Sequence, residues 1–501
     1  MAQVLTLPVA RRRAAKPSTV ETDEQAATPL LDAVRAYDGA AFHCPGHKRG
    51  RGVSTDLRAT VGDAVLASDV WLETGAYDRA RRAAESLAAG AWGAHRAYVL
   101  GNGSTSGNHA FLLAHLRDGD TAVVSRTLHT STLTGLVLTG ARPVYVAPRV
   151  HADLGTGLGI DPADVAAALG AHPGTRLVSV VSPSYPGVCS DTAAICAAAH
   201  AAGAVAYVDE AWGPHLAFHP DLPAHAIAAG ADGAVTSVHK LLPALSSGAL
   251  LLAGPSVDGD RLDAVVRMTQ TTSPLLPLLA SVDAARRDLA VDGTRLVERA
   301  VTLAEAARRA LSALPGLRVF GADELGVRLD PLKLSVDVTG LGLTGHRADA
   351  LLRSACGIAP EGGDLTSVYL VVGIGDDEAT ITSLTAGFRR LVPLTPRPGA
   401  AQVRRLRARV ARLGSLPVPG PAPLTPRQAF LGASRSVALR EAVGEVCAEL
   451  VTTYPPGIPV IAPGEVVTAE AVDYLAEVLA AGAHVHGTAD PALRTVRVAQ
   501  P

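Results

Sequence analysis

Seven short apolar runs between residues 97 and 252 constrain the fold of this chain more than any other feature. They lie at 97–100, 121–125, 143–147, 177–181, 204–208, 234–237 and 249–252, and helical patterns such as 190–202 separate several of them. Near-continuous apolar strands that alternate with helices are typical of a mostly parallel sheet covered on both faces. The sequence therefore predicts an α/β fold, whose ligands bind at the carboxyl ends of the strands.

A glycine- and hydroxyl-rich loop follows the first apolar run. Residues 101–108 include Ser104, Thr105 and Ser106 and open an apolar helical pattern. Free backbone N–H groups and the helix dipole at such a terminus can bind an anion such as phosphate. The alternative is an ordinary Ser/Thr N-cap, because the loop matches neither a Walker nor a GxGxxG pattern.

Three titratable residues also follow predicted strands. His129 comes after the second run, Asp209 after the fifth and Lys240 after the sixth. Each has an ordinary interpretation: a structural histidine, a helix cap or buried salt bridge, and a lysine that extends from a strand end to water. A desolvated lysine, however, loses its proton more readily and can form a Schiff base with a carbonyl cofactor.

Taken together, these features match the requirements of pyridoxal 5′-phosphate. Its phosphate needs N–H and hydroxyl donors, its ring nitrogen needs a carboxylate, its ring faces need packing partners, and its aldehyde needs an amine. The joint pattern along the strand ends, rather than any one residue, predicts this cofactor.

Composition argues against several other classes of protein. The net charge is −2 without a broad basic stripe, so nucleic acid is not expected as a partner. No apolar run approaches the roughly 18 residues of a membrane span, and no signal-peptide core is present. The five cysteines are scattered without a CxxC pair, which indicates neither a disulfide framework nor a metal site. We expect a cytoplasmic protein that binds no metal and is not attached to a membrane.

Further motifs extend from the N-terminal part of the chain to its C-terminal part. They are 45–48 (PGHK), 182–187 (SPSYPG), 209–212 (DEAW), 237–240 (SVHK), 270–274 (QTTSP), 454–459 (YPPGIP) and 463–465 (PGE). With these motifs the chain resembles the ornithine/lysine/arginine decarboxylase family of fold-type-I, aspartate-aminotransferase-like enzymes. The resemblance covers nearly the whole chain.

The resemblance implies a role for each matching residue. Lys240 would hold the cofactor as a Schiff base, Asp209 would pair with its pyridine nitrogen, and His129 would stack above the ring. The remaining cofactor contacts implied are Ala211 beneath the ring and Ser104, Thr105, Ser106, Ser237 and His239 at the phosphate. Three substrate contacts are also implied: Trp212, Glu465 facing the distal cationic group, and Thr272 from a neighbouring subunit or the rim.

The same resemblance implies a domain organisation. A large pyridoxal-phosphate-binding domain with a seven-stranded sheet would span 66–290, and a small α+β domain would span 291–395. A tail and arm would occupy 1–65, a Pro/Gly-rich linker 396–426, and a C-terminal segment 427–501. The wing domain of the family's long forms is not expected, because about 40 residues precede the PGHK motif. A homodimer or higher homo-oligomer is expected, because fold-type-I enzymes place the active site at a subunit interface.

The predicted reaction is decarboxylation of lysine, ornithine or arginine to the amine and carbon dioxide, a step of the polyamine-forming type. The alternatives are transamination or oxygen-dependent oxidation on the same scaffold, and a catalytically silent binding homologue. Intact Lys240 and Asp209 favour an enzyme. The choice among the three substrates stays open at this point, because recognition of the distal group depends on distances.

Overall fold

The computed structural model describes residues 22–151, 157–395, 398–413, 416–454 and 458–500. Residues 1–21 of the predicted N-terminal tail and arm, and residues 455–457 of the YPPGIP motif, lie outside these ranges. Within them, no helix is both long enough and apolar enough to cross a membrane.

The strands, β1 to β18 in chain order, are Arg96–Leu100, Thr121–Ser125, Arg142–Val146, Leu177–Val181, Val188–Cys189, Val205–Asp209, Gly233–Thr236, Ala249–Ala253, Arg318–Val319, Arg328–Leu329, Lys333–Asp337, Gly362–Gly363, Ser367–Val371, Ser434–Ala438, Val451–Tyr454, Ile458–Ile461, His484–His486 and Thr495–Ala499. The α-helices, α1 to α18, are Thr22–Gln25, Pro29–Arg35, Thr55–Val61, Asp63–Ser68, Thr74–Ala91, Gly103–His115, Thr130–Thr139, Pro162–Ala171, Thr192–Ala201, Val238–Leu241, Gly259–Thr269, Leu276–Ser312, Ala322–Leu325, Gly345–Leu351, Glu378–Leu391, Ala400–Leu413, Pro426–Leu431 and Ala469–Ala480.

A seven-stranded sheet in the order β1-β8-β7-β6-β4-β2-β3 forms the centre of the large domain. The pairs β2–β3, β2–β4, β4–β6 and β6–β7 are parallel, whereas β8 is antiparallel to both of its neighbours. Each strand of this sheet corresponds to one predicted apolar run, so the predicted mostly parallel α/β fold is confirmed. With β8 alone reversed within the sheet, the carboxyl ends of the other strands meet at one edge.

Apolar side chains bury both faces of this sheet. Phe111 of α6, Leu136 of α7 and Leu262 of α11 pack on one face. Val165 of α8 and Ile195 of α9 pack on the other. These two helix layers leave the carboxyl edge of the sheet as the place where polar side chains meet.

The predicted small domain is connected to the large one by the long helix α12. This helix is interrupted at Asp292, which has the non-helical angles φ −134° and ψ 18°. Its second half packs against the antiparallel sheet β12-β13-β11-β9, with Ala307 and Leu311 in the same core as Leu334 and Val336. The sheet and helices of this domain give it the predicted α+β character.

The predicted Pro/Gly-rich linker over 396–426 differs from the structure, because it contains α16. Residues 400–413 have no proline or glycine and are rich in arginine, alanine and leucine, which favour helix. Arg407 Nη2 lies 3.7 Å from Asp337 Oδ2, so the helix contacts the small domain. Prolines on either side of this segment favoured the prediction of a linker, so the helix was not predicted from the sequence.

The C-terminal segment forms its own small core. Two sheets, β14–β18 and β16-β15-β17, pack with α18 through Val451, Ile461, Leu475 and Val496. Arg126, which directly follows β2, connects this segment to the large domain through its ion pair with Glu465.

Helix α6 packs directly on the sheet at Gly107, where a Cβ would lie 2.5 Å from Val235 Cγ2 and 2.9 Å from Leu100 Cδ1. We expect Gly107→Ala to lower the free energy of unfolding by about 1–3 kcal/mol through overpacking, measured by urea unfolding. Gly170→Ala in α8 is the control, because a Cβ there meets no atom within 4 Å. Alanine favours helix, so this control should be neutral or slightly stabilising. Equal effects of the two substitutions would contradict the packing described.

Candidate active site

A cavity of about 920 Å³ opens where β2, β4, β6 and β7 end. Most of the predicted site residues line it, and they are Ser104, Thr105, His129, Asp209, Ala211, Trp212, Ser237, His239 and Lys240. The small domain contributes Glu361, Asp364 and Tyr369 to its wall, the predicted linker contributes Pro417, and the C-terminal segment contributes Tyr474. All three parts of the chain therefore enclose the space next to Lys240.

Lys240 lies in the short helix α10, directly after β7. Burial lowers the pKa of its amine, while the charges of Asp209 and Glu361 oppose that shift. Its Nζ lies 4.1 Å from the centroid of the Trp212 ring. An amine with a lowered pKa that faces a cavity has the properties of a nucleophile toward a carbonyl.

Asp209 is held at the end of β6 by a chain of hydrogen bonds. Asn108 Nδ2 donates to Asp209 Oδ2 at 2.8 Å and to Ser131 Oγ at 2.8 Å. Tyr207 Oη donates to Asn108 Oδ1 at 2.7 Å, and the Ala211 N–H donates to Asp209 Oδ1 at 3.1 Å. These donors stabilise a carboxylate that is 3% exposed.

His129 is the N-cap of α7, and its Nδ1 accepts a hydrogen bond from the Ser131 N–H at 3.2 Å. Burial lowers the pKa of its ring, and the charge of Lys240 acts in the same direction against the attraction of Asp209. A neutral imidazole in this position can pack flat on an aromatic ligand.

The N-terminus of α6 offers the predicted anion site. Its N-cap, Asn102, makes no side-chain cap, and Ser104 Oγ lies 2.7 Å from Ser237 Oγ. His239 Nδ1 lies 3.0 Å from the carbonyl oxygen of Gly248, within hydrogen-bonding distance. Ser106 is placed differently: its hydroxyl donates to the Gly103 carbonyl at 2.8 Å and does not line the cavity. Any contact of Ser106 with a phosphate would therefore use its backbone N–H.

The structure does not bring Glu465 and Thr272 into the cavity. Thr272 is exposed on the connection between α11 and α12. Glu465 is buried in the C-terminal segment, and both of its carboxylate oxygens accept from Arg126, at 2.5 and 2.9 Å. The prediction that Glu465 faces the substrate's distal group therefore disagrees with its contacts, because both oxygens of this buried carboxylate already accept hydrogen bonds from the Arg126 guanidinium.

Sequence reasoning missed Asn108, Arg126 and Glu361. Asn108 lies inside the predicted loop, and Tyr207, a polar side chain within an apolar run, was the available signal for its partner. Arg126 follows β2 directly, but its position alone indicated no role. Glu361 follows no long apolar run, so no sequence signal pointed to it.

The residues of this cavity fit pyridoxal 5′-phosphate. The cavity supplies an amine at Lys240, a hydrogen-bonded carboxylate at Asp209, and an imidazole at His129. It also supplies hydroxyls and N–H groups at the N-terminus of α6. These are the groups that the cofactor's aldehyde, ring and phosphate require.

Comparison with known proteins agrees with this assignment. Residues 28–323 match the Orn/Lys/Arg decarboxylase major domain, and residues 405–490 match the C-terminal domain of that family. An arginine decarboxylase of Bacillus subtilis is 33% identical over 485 residues, covering 94% of this chain and 97% of that protein. An arginine decarboxylase of Halalkalibacterium halodurans is 34% identical over 488 residues, covering 95% and 98%.

A solved structure is similar over the same length. The constitutive lysine decarboxylase of E. coli superposes with a TM-score of 0.79 at 20% identity, covering 95% of this chain and 82% of that one. At this identity the likeness bears on the fold.

The major-domain match spans more than half of the chain, and the curated relatives match nearly all of it. The predicted family, cofactor and class of reaction are thereby confirmed. The chain belongs to the Orn/Lys/Arg decarboxylase family and is a pyridoxal-phosphate-dependent decarboxylase of basic amino acids.

Proposed function

We propose that this chain decarboxylates L-arginine and that Lys240 is the residue to which the cofactor aldehyde bonds. The single observation that carries the proposal is that the Lys240 amine and the hydrogen-bonded carboxylate of Asp209 line the same cavity. When bound, pyridoxal 5′-phosphate supplies the electron sink for the bond between Cα and the carboxylate.

The proposed roles of the protein groups follow from their contacts. Asp209, fixed by Asn108, holds a proton on the ring nitrogen by its charge. His129 covers one ring face and excludes water from it. Lys240, with its lowered pKa, accepts or returns a proton close to the substrate Cα.

The environment of Arg126 supports decarboxylation over transamination. An aminotransferase clamps the substrate carboxylate, typically with a bidentate arginine, whereas a decarboxylase must leave it free. Among the described residues that line the cavity, Arg126 is the one arginine. Its guanidinium is already engaged by Glu465 and by the Val460 carbonyl at 2.9 Å, and it lies over the Tyr145 ring at 4.5 Å. Its charge is therefore already paired, and both Nη1 and Nη2 donate within the protein.

Two observations support arginine as the substrate. The relatives named arginine decarboxylase match nearly all of this chain. Glu361 places an exposed carboxylate on the cavity wall, where a guanidinium could bind it with two parallel hydrogen bonds.

We further propose a cytoplasmic homodimer. Thr272 is exposed and does not line the cavity of its own subunit, which suits the predicted contact with a neighbouring subunit. Phe42 is 95% exposed and Met268 69% exposed, and a partner subunit would cover such apolar side chains. All five cysteines are free, which suits a reducing compartment.

The proposed reaction can be tested directly. Purified protein loaded with pyridoxal 5′-phosphate should release carbon dioxide and the decarboxylated amine from arginine faster than from lysine or ornithine, equally under air and nitrogen. Lys240→Ala should lose the visible absorption band of the covalent cofactor and lose at least about 10³-fold in rate, because it lacks the nucleophilic amine. A keto acid product would indicate transamination, and oxygen consumption would indicate oxidation. Preference for lysine or ornithine would contradict the substrate proposed.

Substitution of Glu465 distinguishes a role in neutralising Arg126 from a role in binding the distal group of the substrate. If it serves to neutralise Arg126, Glu465→Leu leaves a buried charge unpaired and should lower the free energy of unfolding by about 3–5 kcal/mol. Urea unfolding measures this loss. The matched control is the double variant Arg126→Met/Glu465→Leu, which removes both charges and should recover most of the stability.

If Glu465 instead binds the distal group of the substrate, the outcome differs. Glu465→Leu would then raise KM for arginine with little loss of stability, and the double variant would keep the raised KM. That pattern would overturn the role in neutralising Arg126.

A further inference from the structure

Glu210 lies between two residues of the cavity but does not line the cavity itself. Asp209 and Ala211 both line it, whereas the Glu210 carboxylate packs in the core and the residue is 2% exposed. Successive side chains along a strand point to opposite faces, so this difference is expected at the end of β6. The DEAW motif therefore places one carboxylate in the cavity and a second carboxylate behind it.

The second carboxylate is bound by the connection between β6 and β7. His225 Nδ1 lies 2.9 Å from Glu210 Oε2, and the Ala226 N–H donates to Glu210 Oε1 at 2.8 Å. The His225 ring is buried, and its Nε2 lies 2.8 Å from the carbonyl oxygen of Trp92. Trp92 directly follows α5, and its Nε1 donates to the Pro214 carbonyl at 3.1 Å. His225 thus connects the turn after β6 to the end of α5.

The two contacts of the His225 ring determine how many protons it holds. A carbonyl oxygen can only accept a hydrogen bond, so Nε2 must carry a proton. An ionised carboxylate is also only an acceptor, so Nδ1 must carry a second proton. Wherever the proton between Nδ1 and Glu210 lies, the pair holds one proton more than a neutral histidine beside a carboxylate.

His219 shows the other arrangement. Its Nε2 lies 2.6 Å from Glu298 Oε2, but its Nδ1 accepts a hydrogen bond from the Asp221 N–H at 3.3 Å. A neutral ring satisfies both of these contacts, with a proton on Nε2 alone. The contacts of His225 therefore require a charge that those of His219 do not.

Titratable groups on the neighbouring elements act on this pair. Burial lowers the pKa of His225, but the charge of Glu210 and the hydrogen bonds of the ring raise it, and the resulting pKa lies above the ordinary value. Burial raises the pKa of Cys189 on β5, and the charges of Asp330 and Glu210 add to that shift. Asp209 precedes Glu210 on β6.

The turn after β6 packs closely around Glu210. The Gly213 N–H donates to the Glu210 carbonyl at 2.8 Å, and a Cβ on Gly213 would lie 2.5 Å from Glu210 Cγ. The Ala211 N–H, within the same turn, donates to Asp209 Oδ1 at 3.1 Å. A movement of the Glu210 side chain would therefore displace backbone that holds Asp209.

We propose that His225 is a positioning residue, held as an imidazolium by Glu210 and the Trp92 carbonyl. Through this ion pair it fixes the turn that presents Asp209 and Ala211 to the cofactor. Without the cation, the Glu210 carboxylate would be buried without compensation, and the turn would shift to relieve it. The inference rests on the role proposed above for Asp209.

Cofactor binding tests this role without turnover. The apparent Kd of pyridoxal 5′-phosphate is measured at pH 7 from the visible absorption band, at a temperature where circular dichroism shows each variant to be folded. His225→Gln leaves the Glu210 charge unpaired and should raise this Kd about tenfold or more. Glu210→Gln should raise it less, because its amide can donate to a neutral His225 while its oxygen still accepts from the Ala226 N–H. The double variant His225→Gln/Glu210→Gln should recover part of the affinity that His225→Gln loses.

The matched control is His219→Gln, the same substitution at a histidine whose partner Glu298 has a side chain that is 62% exposed. Its Kd should equal that of the unsubstituted protein. A lower Tm of His225→Gln with an unchanged Kd would identify His225 as merely structural and overturn the inference, and so would an equal rise of Kd in the control. Absence of the visible band in the unsubstituted protein would instead overturn the assignment of the cofactor site.

Stability as a function of pH tests the proton on His225. A histidine whose pKa is raised in the folded state stabilises the fold fully below its unfolded pKa of about 6.5, and this contribution is lost as the pH rises through the folded pKa. With saturating cofactor, the Tm of the unsubstituted protein should therefore fall by about 1–3 °C relative to that of Glu210→Gln between pH 6.5 and pH 9. The neutral pair in Glu210→Gln has no such proton to lose over this range.

A Tm difference that stays constant from pH 6.5 to pH 9 would show that His225 is uncharged in the folded protein and would overturn the proposal. This comparison does not use His225→Gln, so it still decides the question if that variant does not fold.

Discussion

A partly buried amine and a buried carboxylate, next to the ends of two adjacent strands, set the requirements for the rest of the structure. Charges removed from water destabilise a fold unless hydrogen bonds or opposite charges compensate. Asp209 receives donors from Asn108 and from the backbone of Ala211. Asn108 is in turn fixed by Tyr207 and contacts Ser131, next to His129. The polar side chains at this edge of the sheet thus form one connected network.

Arg126 shows how the C-terminal segment takes part in this arrangement. Glu465 neutralises its guanidinium from a segment that lies more than 300 residues later in the chain. The pair is 3% exposed on each side chain, so a missing partner would leave an uncompensated charge. The charge of Arg126 at the cavity wall is in this way neutralised, which suits a reaction in which the substrate carboxylate must stay unclamped and leave as carbon dioxide.

The central sheet, and the residues that lie at its carboxyl edge, could be predicted from the sequence alone. Apolar runs specify buried strands by their side chains alone, and Asp209, His129 and Lys240 directly follow such runs. The contacts of Glu465 and the position of Glu361 could not be predicted in the same way. They depend on how the small domain and the C-terminal segment pack on the large domain, a long-range property that local pattern does not encode. Helix α16 was missed for another reason, since flanking prolines outweighed its helix-forming composition.

The most direct measurement is to locate the cofactor on the chain. The loaded protein would be reduced with borohydride, digested and mapped by mass spectrometry. The chain contains only four lysines, so the four possible positions can be distinguished without ambiguity. The account predicts the reduced cofactor on Lys240 alone. Its attachment to Lys333, or to Lys16 or Lys48, would contradict the assignment of the active site.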